Sequence, residues 1–154
     1  MPLEPGSPVP PVSAETQDGN RVTVDFADPT VLFFYPEDAT PGCTTEATQF
    51  DAELETYRDA GVAVYGVSTD DADSHAAFAA AEDLEVTLLA DPEGRIVEAF
   101  GVERDDQGRA KRTTFACASS QVCGLYEGVS PDGHARNVLA DMLDTGLVSL
   151  DGDS

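Results

Sequence analysis

Val31-Leu32-Phe33-Phe34-Tyr35 is an unbroken apolar run, and Pro36 ends it. A stretch of this length with no polar face suits a strand covered on both sides, as in sheets packed between helices. Val62-Ala63-Val64-Tyr65-Gly66-Val67-Ser68 repeats the pattern. Between the two, Ala47, Phe50, Leu54 and Tyr57 recur at helical spacing, and Gly61 follows as a stop. Strands alternating with helices point to an α/β layered fold.

The remaining segments fit that frame. Residues 1–12 are Pro-rich and read as extended, and Asp18-Gly19-Asn20 reads as a hairpin turn into the alternating Arg21–Phe26 segment. Asp73 or Ser74 can cap an Ala-rich helix running to about Glu82. Val86–Leu89 is a further strand, followed by a turn at Asp91-Pro92-Glu93-Gly94. Thr113–Cys117 and Val122–Tyr126 form a hairpin about Ser119-Ser120. A last helix carries Ala135, Val138, Leu139, Met142 and Leu143 on one face, with Gly146 ending it. The expectation is one domain over residues 1–154, with a central mixed sheet flanked by helices and an N-terminal hairpin. Residues 1–6 and 147–154 are expected to be flexible ends. Periodicity does not order the strands.

A chain of 154 residues can bury roughly 70% of the surface its unfolded form exposes. No window reaches the ~18 apolar residues that a membrane span requires. The first residues lack both a basic segment and an apolar run, so the expected location is the cytoplasm. The charge is extreme: 30 acidic residues stand against 8 basic ones, for a net −22. Lys111 is the only lysine. Such a surface repels nucleic acid and anionic membranes, which excludes both as partners. An acid excess spread along the chain, with almost no lysine, fits a merely soluble acidic protein, but the expectation is a halophilic, salt-requiring one in which counter-ions screen self-repulsion. Its thermal midpoint is therefore expected to rise from low to multimolar salt, and an unchanged midpoint counts against this reading.

Cys43, Cys117 and Cys123 are the only cysteines. They form no Cys-x-x-Cys pair and no Cys/His cluster at ligand spacing, so a zinc site is not expected. Cys117 and Cys123 fall within expected strands and read as small core residues. Cys43 differs. It follows the Pro36–Gly42 loop and sits where helical periodicity begins, flanked by Gly42 and Thr44 in a polar turn with no apolar face to complete. Backbone N–H groups and the helix dipole stabilise a thiolate at such a helix mouth. Thr40, three residues earlier, can bring its hydroxyl beside the sulfur or a bound substrate. Pro36 and Pro41 stiffen the loop. Arg112 heads a strand, and either pairs at the surface or approaches Cys43 to stabilise the thiolate and bind a polar oxygen. Glu46 is one turn into the helix, an orienting acid or a solvated one. His75 and His134 read as surface residues. Asp70-Asp71-Ala72-Asp73 lacks calcium-loop spacing and reads as hydrated surface.

Pro36-x-x-x-Thr40-x-x-Cys43 resembles the active-site signature of the peroxiredoxins. The longer Phe34-Tyr35-Pro36-x-Asp38-x-Thr40-Pro41-Gly42-Cys43-Thr44-x-Glu46-Ala47 resembles the bacterioferritin-comigratory, or peroxiredoxin Q, branch. Gly66-Val67-Ser68-x-Asp70, Ser74-His75-x-x-Phe78, Leu88-Leu89-Ala90-Asp91, Phe100-Gly101-Val102, Arg112–Phe115 and Asp132–Ala135 follow in the family's order. The resemblance spans roughly residues 6–145. It implies a thioredoxin-like fold and thiol-dependent reduction of hydrogen peroxide and organic hydroperoxides. Cys43 would then be the peroxidatic cysteine. Thr40 would orient the peroxide, Arg112 would stabilise the charge, Pro36 would shield the site, and Glu46 would orient its neighbours. Such chemistry needs no metal or organic cofactor. The reductant would be thioredoxin-like or a small-molecule thiol, and the protein a monomer or weak homodimer.

One departure stands out. Many members carry a resolving cysteine five residues after the first, where this chain has Thr48. Ser74–Glu82 contains no cysteine either. Cys117, Cys123, a partner subunit or an external thiol remain as resolving groups, with the external thiol ranked first.

Overall fold

The computed structural model describes residues 2–128 and 130–144. Its elements, in chain order, are β1 (Val12–Glu15), β2 (Arg21–Val24), β3 (Thr30–Phe34), α1 (Pro41–Ala52), α2 (Leu54–Asp59) and β4 (Ala63–Ser68). Then come α3 (Ala72–Glu82), β5 (Thr87–Ala90), α4 (Arg95–Ala99), β6 (Thr113–Ala118), β7 (Gln121–Glu127) and α5 (His134–Asp144). Gly146 and residues 147–154 lie outside the described residues. At the other end, the Leu3 and Gly6 N–H groups donate to the Phe100 and Val122 carbonyls.

β1 and β2 pair as a separate antiparallel hairpin, while the central sheet runs β5-β4-β3-β6-β7. β3, β4 and β5 are mutually parallel, and β6 and β7 are antiparallel additions. The continuous apolar run therefore becomes the middle strand, all five residues of β3 being buried. Alternate residues of β3 face opposite sides. Val31, Phe33 and Tyr35 enter a core with α1, α2, α3 and α5. Leu32 and Phe34 enter a second core with the β1–β2 hairpin, α4 and Phe100. Gly66 is needed on β4 because a Cβ there would meet the Phe33 ring at 2.7 Å and Leu88 at 2.9 Å.

The expected long helix breaks at Glu53 into α1 and α2, yet its face survives. Cys43, Glu46, Ala47, Phe50, Leu54 and Tyr57 are all buried. Phe50 stacks on Phe33 with ring centroids 4.3 Å apart. The Tyr57 hydroxyl donates to the Ala135 carbonyl at 2.6 Å, joining α2 to α5. Asp71, rather than Asp73 or Ser74, caps α3 by accepting from the Ser74 N–H at 2.8 Å. The α4 helix has no counterpart in the sequence reading. Its first-turn N–H groups at Ile96 and Val97 are held by the buried Asp91 carboxylate. Ser119 and Ser120 both take positive φ, 54° and 60°, which a two-residue primed hairpin turn requires. No helix among the described residues is long and apolar enough to cross a membrane.

Candidate active site

Thr40 is the extended N-cap of α1, with Pro41 and Gly42 opening the helix and Cys43 following in the first turn. The Thr40 carbonyl accepts the helix's first hydrogen bond, from the Thr44 N–H at 2.8 Å. Contrary to the sequence reading, Cys43 does have an apolar face to complete. It is 1% exposed and packs in the core cluster with Phe33, Tyr35, Ala47 and Phe50. Extending the spacing of Ala47 and Phe50 back by one turn reaches Cys43 and Glu46, and that signal was present in the sequence.

Arg112 comes from the segment just before β6 and reaches across to α1. Its Nη2 donates to Cys43 Sγ at 3.6 Å and its Nη1 to Glu46 Oε1 at 2.6 Å. One planar fork thus spans the thiol and the carboxylate, a geometry a lysine cannot copy. Gly42 leaves room for it, since a Cβ there would lie 3.1 Å from Arg112 Nη2. Burial opposes the guanidinium charge, but Glu46 and Cys43 outweigh it and raise the Arg112 pKa.

Glu46 is fully buried, which excludes the solvated alternative. Its Oε2 has no hydrogen-bond partner among the described residues and lies 4.0 Å from His134 Nε2. His134 opens α5 and is also buried, its Nε2 2.8 Å from Thr114 Oγ1 on β6. Burial, reinforced by Arg112, pulls its pKa down to about 4, so the ring is neutral at physiological pH. His75 is buried too, so neither histidine is a surface residue. A lone histidine carries no periodicity, and nothing in the sequence announced these contacts.

Burial pushes the Glu46 carboxyl up to about 7, against the opposing pull of Arg112. The folded value lies above the ordinary 4.5, so across that window the native state keeps a proton that the unfolded chain has released. Glu46's contribution to stability therefore falls as pH rises from about 4.5 to about 7. Glu46→Gln cannot titrate. Its stability relative to the parent is expected to improve across that window, read as urea midpoints at both ends. His134 is present in both proteins and cancels to first order. A constant difference contradicts the assignment.

The Thr40 hydroxyl donates to the Glu37 carbonyl at 3.0 Å, which leaves its lone pairs available. Pro36 is half-buried at the start of the loop. The loop is pinned from both sides. Arg109 donates to Glu37 Oε1 at 2.7 Å, and Asp38, two residues before Thr40, is buried among hydrogen-bond donors. Burial alone would raise the Asp38 pKa, but hydrogen bonds from His75, Tyr35 and Ser74, with the charge of His75, lower it. Asp70, read as hydrated surface, is half-buried and accepts from the Asp38 N–H and the Ser68 hydroxyl at 2.8 and 2.7 Å.

The sheet separates the other buried thiol from this site. Ala116 faces the Cys43 core, whereas Cys117 belongs to the opposite one. Burial, with Cys123 contributing, raises the Cys117 thiol to about 12. Cys123 is not a core residue. It is exposed on the edge strand β7, next to a register shift opposite Ala116 and Cys117.

The model of the AhpC/TSA family matches residues 5–122. The chain is 43% identical over 102 residues to the chloroplastic peroxiredoxin Q of Triticum aestivum, covering 65% of this chain and 47% of that protein. The match thus spans about half the length of that relative. Against the putative peroxiredoxin Bcp of Coxiella burnetii it is 33% identical over 148 residues, covering 90% of this chain and 98% of the other. A solved structure of the bacterioferritin comigratory protein of Xanthomonas campestris, described for its alkyl peroxide reduction activity, superposes with a TM-score of 0.80. Its sequence identity is 29%, and the superposition covers 87% of this chain and 91% of that one. With the family model matched over most of its length and the Coxiella relative aligned almost end to end, this chain belongs to the AhpC/TSA family, on its Bcp/peroxiredoxin Q branch.

Proposed function

We propose that this chain is a thiol-dependent peroxidase that reduces hydrogen peroxide and organic hydroperoxides through Cys43. The observation that carries this reading is the Arg112 guanidinium 3.6 Å from a thiol in the first turn of α1. The alkyl peroxide reduction described for the Xanthomonas protein supports the organic class.

The thiolate attacks the terminal oxygen of the peroxide. The S–O bond forms as the O–O bond breaks, the sulfur is oxidised to a sulfenic acid, and the departing hydroxide or alkoxide takes a proton to leave as water or alcohol. Arg112 stabilises the thiolate and the charge developing on the peroxide oxygens, where donors fixed in advance are most effective. The free lone pairs of Thr40 accept from the peroxide hydroxyl and orient it. Pro36 shields the reaction from bulk water, and Glu46 holds the Arg112 fork in plane.

The sulfenic acid is resolved by an external thiol, supplied by a thioredoxin-like protein or a small molecule. That thiol displaces water to give a mixed disulfide, and a second thiol releases Cys43. Thr48 in place of the nearby resolving cysteine supports this order, as does Cys117's position across the sheet. With Cys43 only 1% exposed, the first turn of α1 must open before a protein reductant can reach its sulfur. The same reading places the protein in the cytoplasm, a reducing compartment that suits its three unpaired cysteines, and takes it as a monomer or weak homodimer.

Stopped-flow mixing with peroxide tests the proposal. Rapid oxidation of Cys43 followed by turnover under added thiol is expected. Oxidation without turnover makes the protein a redox sensor instead. An intramolecular Cys43–Cys117 or Cys43–Cys123 bridge in non-reducing mass spectra removes the external-thiol step.

A further inference from the structure

The loop between β3 and α1 depends on a buried acid to which the peroxide chemistry above gives no part. Asp38 has a side chain only 4% exposed and receives three hydrogen bonds. The Tyr35 hydroxyl donates to its Oδ1 at 2.7 Å, and the Ser74 hydroxyl donates to its Oδ2 at 2.8 Å. His75 Nδ1 lies 2.7 Å from the same Oδ2. The other ring nitrogen, Nε2, faces the Leu89 carbonyl at 2.9 Å. A carbonyl only accepts, so Nε2 carries a hydrogen. The short Nδ1–Oδ2 contact joins the ring directly to the carboxylate. Asp38 also donates its backbone N–H to Asp70 Oδ2 at 2.8 Å. One residue thus ties the loop to Tyr35 just after β3, the segment after β4, the first turn of α3 and, through His75, β5.

The loop needs such a tie. Ala39, the next residue, sits at φ 66°, a left-handed conformation that is strained for a residue with a Cβ. It is exposed, so packing does not hold it there. Thr40 follows at once, and its carbonyl starts α1. The direction of the Thr40 hydroxyl therefore depends on the turn at Ala39, and that turn depends on Asp38. The Arg112–Cys43 contact does not share this support, because its guanidinium is braced by Glu46 one turn further along α1.

We propose that Asp38 is a positioning residue for peroxide. Its network with Tyr35, Ser74 and His75 locks the loop so that Thr40 meets the substrate oxygen, while leaving thiolate reactivity to Arg112. This rests on the peroxidase reading, and it divides two rates that a merely structural role would change together.

The test compares Asp38→Asn with the wild-type protein in two reactions of the same thiol. One is oxidation by hydrogen peroxide in stopped flow. The other is alkylation by iodoacetamide, which has no second oxygen for Thr40 to orient. Asparagine keeps the shape and one acceptor but cannot serve all three donors. The peroxide rate constant is expected to fall roughly 10- to 100-fold, as misplacement of a reacting group does. Alkylation should stay within about 2-fold on the same scale. Ser74→Ala removes one donor at the half-buried edge of the network, and provides the comparison if Asp38→Asn does not fold. It is expected to slow peroxide oxidation several-fold with alkylation again unchanged. Unchanged peroxide rates overturn the inference, as does an equal loss in both reactions. A wild-type protein unreactive toward peroxide removes the peroxidase reading, and this inference with it.

Discussion

Cys43→Ser is expected to abolish peroxide reduction, by a factor on the order of 10⁴ or more. A serine hydroxyl at neutral pH holds almost no alkoxide, and the oxygen analogue of the sulfenic acid would be a peroxide, so no favourable first step exists. The substitution leaves the fold in place. Oxygen occupies less volume than sulfur, and the site already offers a donor in Arg112 Nη2. The variant should therefore show an unchanged circular dichroism spectrum and no peroxide consumption under an added thiol. Retained turnover would move the chemistry to Cys117 or Cys123. The first lies on the wrong face of the sheet, and the second is exposed with no arginine among its hydrogen-bond partners.

The second large effect belongs to Arg112. Arg112→Met removes a preorganised donor from the reacting sulfur and is expected to lower the second-order rate with peroxide ~10²- to 10³-fold. Stability falls as well, because Glu46 is left buried without its partner, and breaking such a pair is costly. The two effects are separable. Glu46→Gln in the same protein removes the cost of holding that buried carboxyl protonated above its ordinary 4.5, so the double variant should regain much of the stability and none of the rate. Arg112→Lys keeps the charge but cannot place two parallel N–H bonds on Glu46 Oε1 and Cys43 Sγ, so it should recover only part of the loss. Full recovery by lysine would make the site a matter of charge alone and contradict the role given to the fork.

These residues also mark how far the sequence could be read. The strand pattern at Val31–Tyr35 and Val62–Ser68 and the helical stripe from Ala47 to Tyr57 placed the central layers correctly, because each is long and strongly periodic. The motif around Cys43 marked the candidate site, and Arg112, offered as one of two possibilities, does reach the Cys43 sulfur. What was not legible is tertiary. The five-residue α4 is too short for a period, and it rests on Asp91, which looks like an ordinary turn residue. His75, His134 and Asp38 are polar residues at the core's edge, and their burial follows from which elements meet there. Strand order is equally silent in periodicity, and only that order puts Cys117 across the sheet from Cys43.

The most direct test treats the reduced wild-type protein with one equivalent of hydrogen peroxide in the presence of dimedone, which traps sulfenic acid, followed by peptide mass spectrometry. The expected result is a single adduct on the peptide containing Cys43, lost in Cys43→Ser. An adduct on Cys123 with Cys43 still a free thiol would contradict the assignment of Cys43 as the peroxide-reducing cysteine.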